Sequence, residues 1–183
     1  MSEFDAREHV QEAAEHAEGR GLKWIPIAAA VVAVLAALTN LQSNQRSTQA
    51  LIAKNEAIAD LTHASDTYNY YQAKSIKEEV YKAFEAAQGK RVPALQKVVD
   101  HEESSKQPVL EKAREFDKAA AEANERSEHY LHSHEILEIG VTFLEVGIVV
   151  LSISALTGTI VLPLIAGVAT LVGLGFALAG LFV

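Results

Sequence analysis

Three long apolar stretches bracket one charged segment of the chain, at residues 24–41, 136–156 and 160–183. They contain 18, 21 and 24 residues. A helix of about 20 predominantly apolar residues is long enough to cross the hydrocarbon core of a bilayer. The sequence therefore predicts an all-α membrane protein with three transmembrane helices at these positions.

The net charge of −8 is spread along the chain, and no segment is rich in basic residues. Residues 1–23 form an acidic polar tail with six acidic and three basic residues, and residues 42–135 contain 16 acidic and 13 basic residues. Nucleic acids and anionic lipid surfaces attract a concentrated positive charge. We therefore expect no nucleic acid partner, and the lipid bilayer is the expected environment of this integral protein.

Residues 42–135 are predicted to form a long antiparallel α-helical hairpin between the first and second transmembrane helices. Residues 42–88 contain no Gly or Pro and consist largely of strong helix formers, so they form the first arm. Residues 89–93 are a turn, in which Gly89 ends one helix and Pro93 opens the next. Residues 94–135 form a second arm of similar length, with a break near Pro108.

Apolar and small residues follow both arms at the three-and-four spacing of a helix face, which makes the hairpin coiled-coil-like. On the first arm this stripe consists of Leu51, Ile58, Leu61, Ser65, Tyr68, Ile76, Val80, Phe84 and Ala87. Two helices bury only a narrow seam, so the stripes are also expected to pack against copies of the same chain. The prediction is a homo-oligomer and the alternative is a lone hairpin. The sequence identifies no other protein partner.

The second and third transmembrane helices are predicted to pack together, because residues 157–159 allow only a tight turn between them. Small residues support this contact, since they let helix backbones approach closely in lipid. They are Gly140, Gly147 and Ser154 on the second helix and Ala169, Gly173 and Ala177 on the third.

Glu145 is predicted to lie near the bilayer midplane, within the second transmembrane helix. Ionisable groups at this depth are costly and often functional. One hypothesis is a proton or cation site that faces the bundle interior. The alternative is a protonated carboxyl group that hydrogen-bonds a neighbouring helix and fixes packing or oligomer state. We favour the alternative because no basic residue lies at the same depth.

His and Glu residues cluster within residues 128–138, where the second arm meets the membrane. On a helix His132 and Glu135 share one face, and His134 and Glu138 share another. These pairs are candidate ligands for a divalent ion, or a pH sensor. Their spacing matches no strict metal signature, so ordinary helix pairs are the preferred interpretation, and we predict no metal and no cofactor.

An aromatic group of Tyr68, Tyr70 and Tyr71 lies in the first arm. The same segment also contains Asp66, Gln72 and Lys74. Successive tyrosines point around a helix, so all three cannot enter one seam. A packing layer in a larger helical bundle is preferred here to a ligand site.

Residues 65–77, Ser-Asp-Thr-Tyr-Asn-Tyr-Tyr-Gln-Ala-Lys-Ser-Ile-Lys, resemble the most recognisable stretch of a bacterial membrane family known as domain of unknown function 4337. The order of parts is similar as well: a polar tail, one span, a long helical segment with this motif, and two closing spans. The family often has Trp at the position of Tyr68, and arginines between the last two spans, where residues 157–159 have none. The resemblance implies a bacterial inner-membrane protein, and it brings no known activity or catalytic residues.

The orientation in the membrane is predicted from the few basic residues near the first span, since basic residues mark the cytoplasmic side. Arg20 and Lys23 precede this span, and Arg46 and Lys54 follow it, which is nearly a tie. We expect a cytoplasmic N-terminus, with the hairpin on the opposite side of the inner membrane.

The preferred function is that of a structural or interaction protein, a homo-oligomeric helical hairpin that is anchored in the membrane and scaffolds or senses there. The alternative is a small proton-linked or cation-linked transporter, or a channel-like oligomer, that uses Glu145. An enzyme is not expected, because we find no nucleophile and base, no cofactor fingerprint and no strict metal motif. The chain has no cysteine, which excludes thiolate chemistry.

Overall fold

The computed structural model of the protein describes residues 24–183. All regular secondary structure in this part of the chain is helical, and it consists of α1 (Trp24–Gln88), α2 (Pro93–Thr157) and α3 (Leu162–Phe182). Each helix contains a segment that is long and apolar enough to cross a membrane. The all-α class and the three membrane-spanning candidates are therefore confirmed, while the predicted acidic tail, residues 1–23, lies outside the described residues.

α1 and α2 are longer than the predicted elements, with 65 residues each. α1 continues without interruption past residue 41, and α2 continues past residue 135, the two positions at which a predicted hairpin arm meets a predicted transmembrane segment. Residues 27–88 and 109–139 contain no Gly or Pro, and a helix that meets no breaker continues through a change between apolar and polar residues. Apolar and charged segments are thus consecutive parts of the same helices.

α2 also continues through Pro108, which corrects the predicted break. Proline removes one backbone N–H group and crowds the preceding turn, so the helix needs support from elsewhere. Glu102 and Lys106, on the N-terminal side of Pro108, both bind charged side chains of α1. We attribute the continuity of α2 to these interhelical contacts.

The turn between α1 and α2 comprises residues 89–92, so α2 begins at Pro93 itself. Gly89 has a φ of 61°, in the left-handed region that glycine adopts without steric cost. The backbone N–H of Val92 donates to Glu85 Oε1 at 2.9 Å, and the Val92 carbonyl accepts the N–H groups of Leu95 and Gln96. The predicted glycine stop and proline start are both present.

The described chain divides into two compact units. Ala50–Glu128 is the charged unit, and residues 24–49 together with His129–Val183 are the membrane unit. The boundaries fall inside the predicted arms rather than at residues 41 and 136. Ser43 and Ser133, which lie beyond the apolar stretches, bond to His134 and to the Gly180 carbonyl within the membrane unit.

Small side chains line the seam between α1 and α2 in the charged unit. The buried residues are Ala50, Ala53, Ala57 and Ala64 on α1 and Val99, Ala113, Ala120, Ala123 and Ser127 on α2. At one end of the seam, Ser127 Oγ donates to the Ala50 carbonyl at 2.9 Å. The large aliphatic members of the predicted stripe, including Leu51, Ile58 and Ile76, are instead exposed. The seam is formed by alanines because they permit a close helix contact.

Glycines bring α2 and α3 into backbone contact in the membrane unit. A Cβ atom added to Gly173 would lie 2.9 Å from the carbonyl oxygen of Gly140, and one added to Gly180 would lie 2.7 Å from Leu137 Cγ. Of the small residues predicted at this contact, Ala169 is only half-buried, whereas Ala166 and Gly180 are buried beside Gly173 and Ala177. The contact face of α3 thus follows a spacing of three and four residues.

A second apolar contact in the membrane unit joins α1 to α2. Ile25, Val32 and Ala36 of α1 form one buried cluster with Leu144 and Leu151 of α2. Ala166 of α3 belongs to the same cluster. All three membrane-spanning candidates therefore share one small core.

Candidate functional site

The motif at residues 65–77 lies on α1 in the middle of the charged unit, where polar side chains replace alanines in the seam. Tyr68, Tyr71 and Lys74 are half-buried. Asp66 and Gln72 are exposed, and the Tyr70 ring is 55% exposed. The three tyrosines therefore point in different directions, and only part of the motif contacts α2.

Tyr68 binds an aspartate of α2. Its hydroxyl group donates to Asp117 Oδ2 at 2.6 Å. This hydrogen bond to the carboxylate, assisted by burial, raises the pKa of Tyr68, so the hydroxyl keeps its proton at any physiological pH. The contact is a fixed donor and acceptor pair between the two helices.

Glu102 of α2 lies between two lysines of the motif. Lys77 Nζ donates to Glu102 Oε1 at 2.6 Å, and Lys74 Nζ donates to Glu102 Oε2 at 3.0 Å. Lys74 also donates to Ser105 Oγ at 2.9 Å, and its ammonium group lies 5.1 Å from the centre of the Tyr70 ring. The hydrogen bonds from Lys77 and Lys74 lower the pKa of Glu102 to about 2, so this buried carboxylate remains charged.

Glu78 of α1 forms a second, reciprocal centre one residue after the motif. Its carboxylate is buried and accepts hydrogen bonds from Lys106 of α2, at 2.5 Å, and from Lys82 of its own helix. The bonds from Lys106 and Lys82 lower the pKa of Glu78, and the carboxylate in turn raises the pKa of both lysines. Each helix thus contributes one buried carboxylate, and the other helix supplies two lysines to Glu102 and one lysine to Glu78.

We call these four lysines and two glutamates the Lys–Glu network: Lys74, Lys77, Glu78, Lys82, Glu102 and Lys106. Every member is bonded to another member, so the network has no free base or acid near neutral pH. A buried ion pair contributes little net stability compared with apolar packing, but leaving one partner unpaired is strongly unfavourable. The arrangement therefore serves to fix which residues of α1 lie beside which residues of α2.

Two of the four His and Glu residues considered as metal ligands come together in the membrane unit, around a serine. His134 Nδ1 lies 2.7 Å from Ser43 Oγ and 3.1 Å from the Ser43 carbonyl oxygen, and Ser43 Oγ donates to Glu138 Oε1 at 3.4 Å. His132 and Glu135 are exposed. Within residues 24–183, no group of three or more His, Cys, Asp or Glu side chains is arranged to hold a metal ion.

The Ser43, His134 and Glu138 contacts do not have the geometry of a hydrolase triad. In such a triad the carboxylate orients the histidine, and the serine is open to substrate. Here the carboxylate binds the serine, and Ser43 is fully buried. The cluster therefore joins α1 to α2 at the end of the membrane unit.

Glu145 lies on the outer side of α2 in the membrane unit. Its side chain is exposed, whereas the neighbouring Leu144 is fully buried in the core. The exposed residues around it include Val146 and Val149. The hypothesis of a proton or cation site required the carboxyl group of Glu145 to face the bundle interior. In this structure it does not face the interior of the three helices.

Sequence reasoning missed the buried glutamates, since a charged residue in a helix is ordinarily expected to face solvent. A signal was nevertheless present. Glu78 follows Ala50, Ala57 and Ala64 at multiples of seven residues, and Glu102 follows Val99 by three. A search for small residues at seven-residue spacing would have placed Glu78 in the seam, and the three-residue step from Val99 is the weaker signal for Glu102.

Comparison with known proteins places the chain in a family but not in a functional class. No curated protein and no solved structure is significantly similar to it. A family model described as a domain of unknown function (DUF4337) matches residues 21–183, which include all three helices and the motif at 65–77. The chain therefore belongs to the DUF4337 family.

Proposed function

We propose that the protein is a membrane-anchored helical scaffold, whose charged unit is an antiparallel, coiled-coil-like hairpin. The support is the order of the interhelical contacts in that unit. Glu56 binds Arg126, Tyr68 binds Asp117, and Lys77 binds Glu102, so later residues of α1 meet earlier residues of α2. Buried positions recur every three and four residues on both helices, as in a coiled coil.

The role that we propose is structural or interactive rather than enzymatic. The observation that carries it is the Lys–Glu network, in which buried charged groups bind one another and hold two helices in one alignment. Such groups specify structure at some expense of stability. A hairpin of fixed alignment presents a defined surface to a partner or to another copy.

The proposed location is the bacterial inner membrane, with the N-terminus in the cytoplasm and the hairpin on the other side. Three helices that are long and apolar enough to span a bilayer support the membrane location. The basic residues around the first span give only a slight preference for this orientation. Single cysteines introduced at Glu115 and at Val183 of the cysteine-free chain test this orientation. The measurement is their accessibility to a membrane-impermeant maleimide.

We further propose that the scaffold is a homo-oligomer. Large apolar side chains remain exposed on the charged unit, and Glu145 lies exposed among apolar residues of the membrane unit. Contact with further copies would cover both. Native mass spectrometry of the detergent-solubilised protein should give a multiple of the chain mass, and a monomer under mild detergent conditions would refute an oligomeric scaffold.

The second candidate is a proton-linked or cation-linked transporter that uses Glu145. The exposed position of Glu145 favours a version in which the pathway forms between copies rather than within one chain. Liposomes that contain the protein would then show ion flux that depends on pH and is lost in Glu145→Gln. The scaffold proposal predicts no flux, and it predicts that Glu145→Gln leaves the oligomer intact.

A further inference from the structure

The two helices of the charged unit differ sharply in what they expose. Eight large hydrophobic residues of this unit are at least 50% exposed, and all eight lie on α1. We call them the outer face of α1: Leu51, Ile52, Ile58, Leu61, Tyr70, Ile76, Val80 and Phe84. The exposed side of α2 is charged instead, and it includes Glu103, Glu111, Glu115, Lys118, Glu122 and Glu125.

The outer face of α1 is long, and exposed charged residues of both signs, including Asp66, Lys77 and Glu79, are interspersed with its large apolar side chains. From Leu51 to Phe84 it extends for about 50 Å along the helix. Between its large residues are exposed small and neutral side chains, Asn55, Ala59, Thr62, Asn69 and Ala73. A monomer rarely leaves an apolar surface of this size uncovered.

We propose that two copies of the chain associate through the outer face of α1, with equivalent residues of the two copies in contact. The proposal rests on the proposed oligomeric scaffold and identifies its interface. An anionic lipid surface is not the natural occupant, because the exposed basic residues beside this face, Lys54 and Lys77, are balanced by the exposed acidic residues Glu56, Asp66 and Glu79.

The area of the face fits a self-association interface. Half or more of each large side chain is exposed, which leaves about 100 Å² per residue and about 800 Å² for the eight residues. A stable interface buries about 800 Å² on each partner. The alanine seam buries little surface per residue, so the charged unit gains much of its apolar burial only when this face is covered.

Membrane anchoring favours like residues meeting. Copies that cross the same bilayer in one orientation present α1 in the same direction, and a twofold axis along the membrane normal then brings Ile76 to Ile76 and Val80 to Val80. Confinement to the membrane also raises the effective concentration of one copy near another. Because the copies share one orientation and a raised effective concentration, a self-complementary face is sufficient for them to pair.

A groove at one edge of the face is suited to receive a side chain from the second copy. Ile58 and Leu61 of α1 line it together with Ala120 and Ala121 of α2, and its volume is about 350 Å³. The lining is mostly apolar, and its polar members are Lys54, Asp117 and Asn124. One large aliphatic side chain would fill part of this space in the manner of a knob in a hole.

Single-cysteine cross-linking tests the proposal directly, because the chain contains no cysteine. Purified Ile76→Cys and Val80→Cys proteins in liposomes should form disulfide-linked dimers on mild oxidation. Glu115→Cys, an equally accessible site on the charged side of α2, should remain monomeric on a denaturing gel. Equal cross-linking at all three sites, or none at Ile76 and Val80, would overturn the proposed interface.

A charge substitution separates failure of this interface from failure of the scaffold. Val80→Asp places like charges opposite each other and should shift the native mass from the wild-type oligomer towards the monomer, whereas Glu115→Gln should not. If wild type is oligomeric and Val80→Asp does not change its mass, the interface is wrong and the scaffold stands. If wild type is monomeric, the oligomeric scaffold itself is wrong. Quenching of a label at Ile76 by brominated lipid would show that the membrane covers this face, and would also overturn the inference.

Discussion

At the residue scale, the protein uses buried charges to specify contacts that alanine cannot specify. Alanines at seven-residue spacing pack equally well when one helix is shifted by a heptad relative to the other. Glu78 and Glu102 are each bound by two lysines, and a shift would separate Glu102 from both of its lysines and Glu78 from Lys106 of the other helix. The Lys–Glu network and the Tyr68 contact to Asp117 therefore restrict the two helices to one alignment.

Replacing Glu102 should destabilise the charged unit more than replacing its exposed neighbour. In Glu102→Gln the ammonium groups of Lys74 and Lys77 lose their common carboxylate and repel each other, so amide hydrogen exchange should become faster in Ala50–Glu128. Glu103→Gln is the matched control, because Glu103 is exposed on the next residue of α2. Equal exchange in the two variants would contradict the role of the network.

The network also predicts how the stability of the charged unit depends on pH. The pKa of Glu102 is lowered from 4.5 to about 2 in the fold, so its contribution is complete above pH 4.5 and is lost as pH falls towards 2. The pKa values of Lys74 and Lys106 are raised above 10.5, so their contribution is complete below pH 10.5 and is lost at more alkaline pH. Thermal unfolding followed by circular dichroism should give a constant Tm between these limits and a lower Tm outside them. If the fall of Tm at acidic pH were the same in Glu102→Gln as in wild type, its attribution to Glu102 would be contradicted.

At the scale of the helices, the sequence predicted the elements more fully than the contacts between them. Gly89 and Pro93 predicted the turn, and the apolar stretches predicted three membrane-spanning candidates, because both signals act within a few residues. The α1 seam was not predicted, because alanines at seven-residue spacing contribute little to a hydrophobic stripe. The sequence around Pro108 also does not reveal the contacts with α1 that keep α2 helical there.

Gly173 should be far less tolerant of substitution than Gly175, two residues later on α3. A methyl group at Gly173 would meet the Gly140 carbonyl at 2.9 Å, whereas one at Gly175 has nothing within 4 Å. Gly173→Ala should lower the free energy of unfolding by about 1–3 kcal/mol, the usual cost of overpacking. Gly175→Ala should be neutral or stabilising by about 0.5–1 kcal/mol, because alanine favours the helix. Steric trapping or thermal unfolding in detergent measures both, and a reversed order would exclude the close α2 to α3 contact.

Removing Pro108 should stabilise the protein. Pro108 is exposed within a continuous helix, so Pro108→Ala restores a backbone hydrogen bond and relieves the ring contact with the preceding turn. We expect a gain of about 2 kcal/mol, since the helical preference of alanine outweighs the larger entropy of its unfolded chain. Gln107→Ala, at the adjacent exposed position, should change the stability little. A loss of stability in Pro108→Ala would indicate that the helix requires the proline there.

At the scale of the whole molecule, the central claim is our proposal that α1 and α2 of the same chain form a paired hairpin outside the membrane. The two compact units and the DUF4337 family match are compatible with this claim but do not test it. Pairing of α1 with α2 from a different copy would give the same local contacts. A decisive measurement must therefore report which chain supplies each helix.

Cross-linking of Ala50→Cys with Ser127→Cys supplies that measurement. Ser127 Oγ bonds the Ala50 carbonyl at 2.9 Å and both residues are buried in the seam, so the two cysteines should react with a short bis-maleimide or on oxidation. Ala50→Cys with Glu125→Cys, whose second site is exposed on α2, is the control. In liposomes diluted with an excess of cysteine-free chain, the account predicts a cross-link within single chains, identified by mass spectrometry. A cross-link found only between two chains, or no cross-link above the control, would contradict the hairpin.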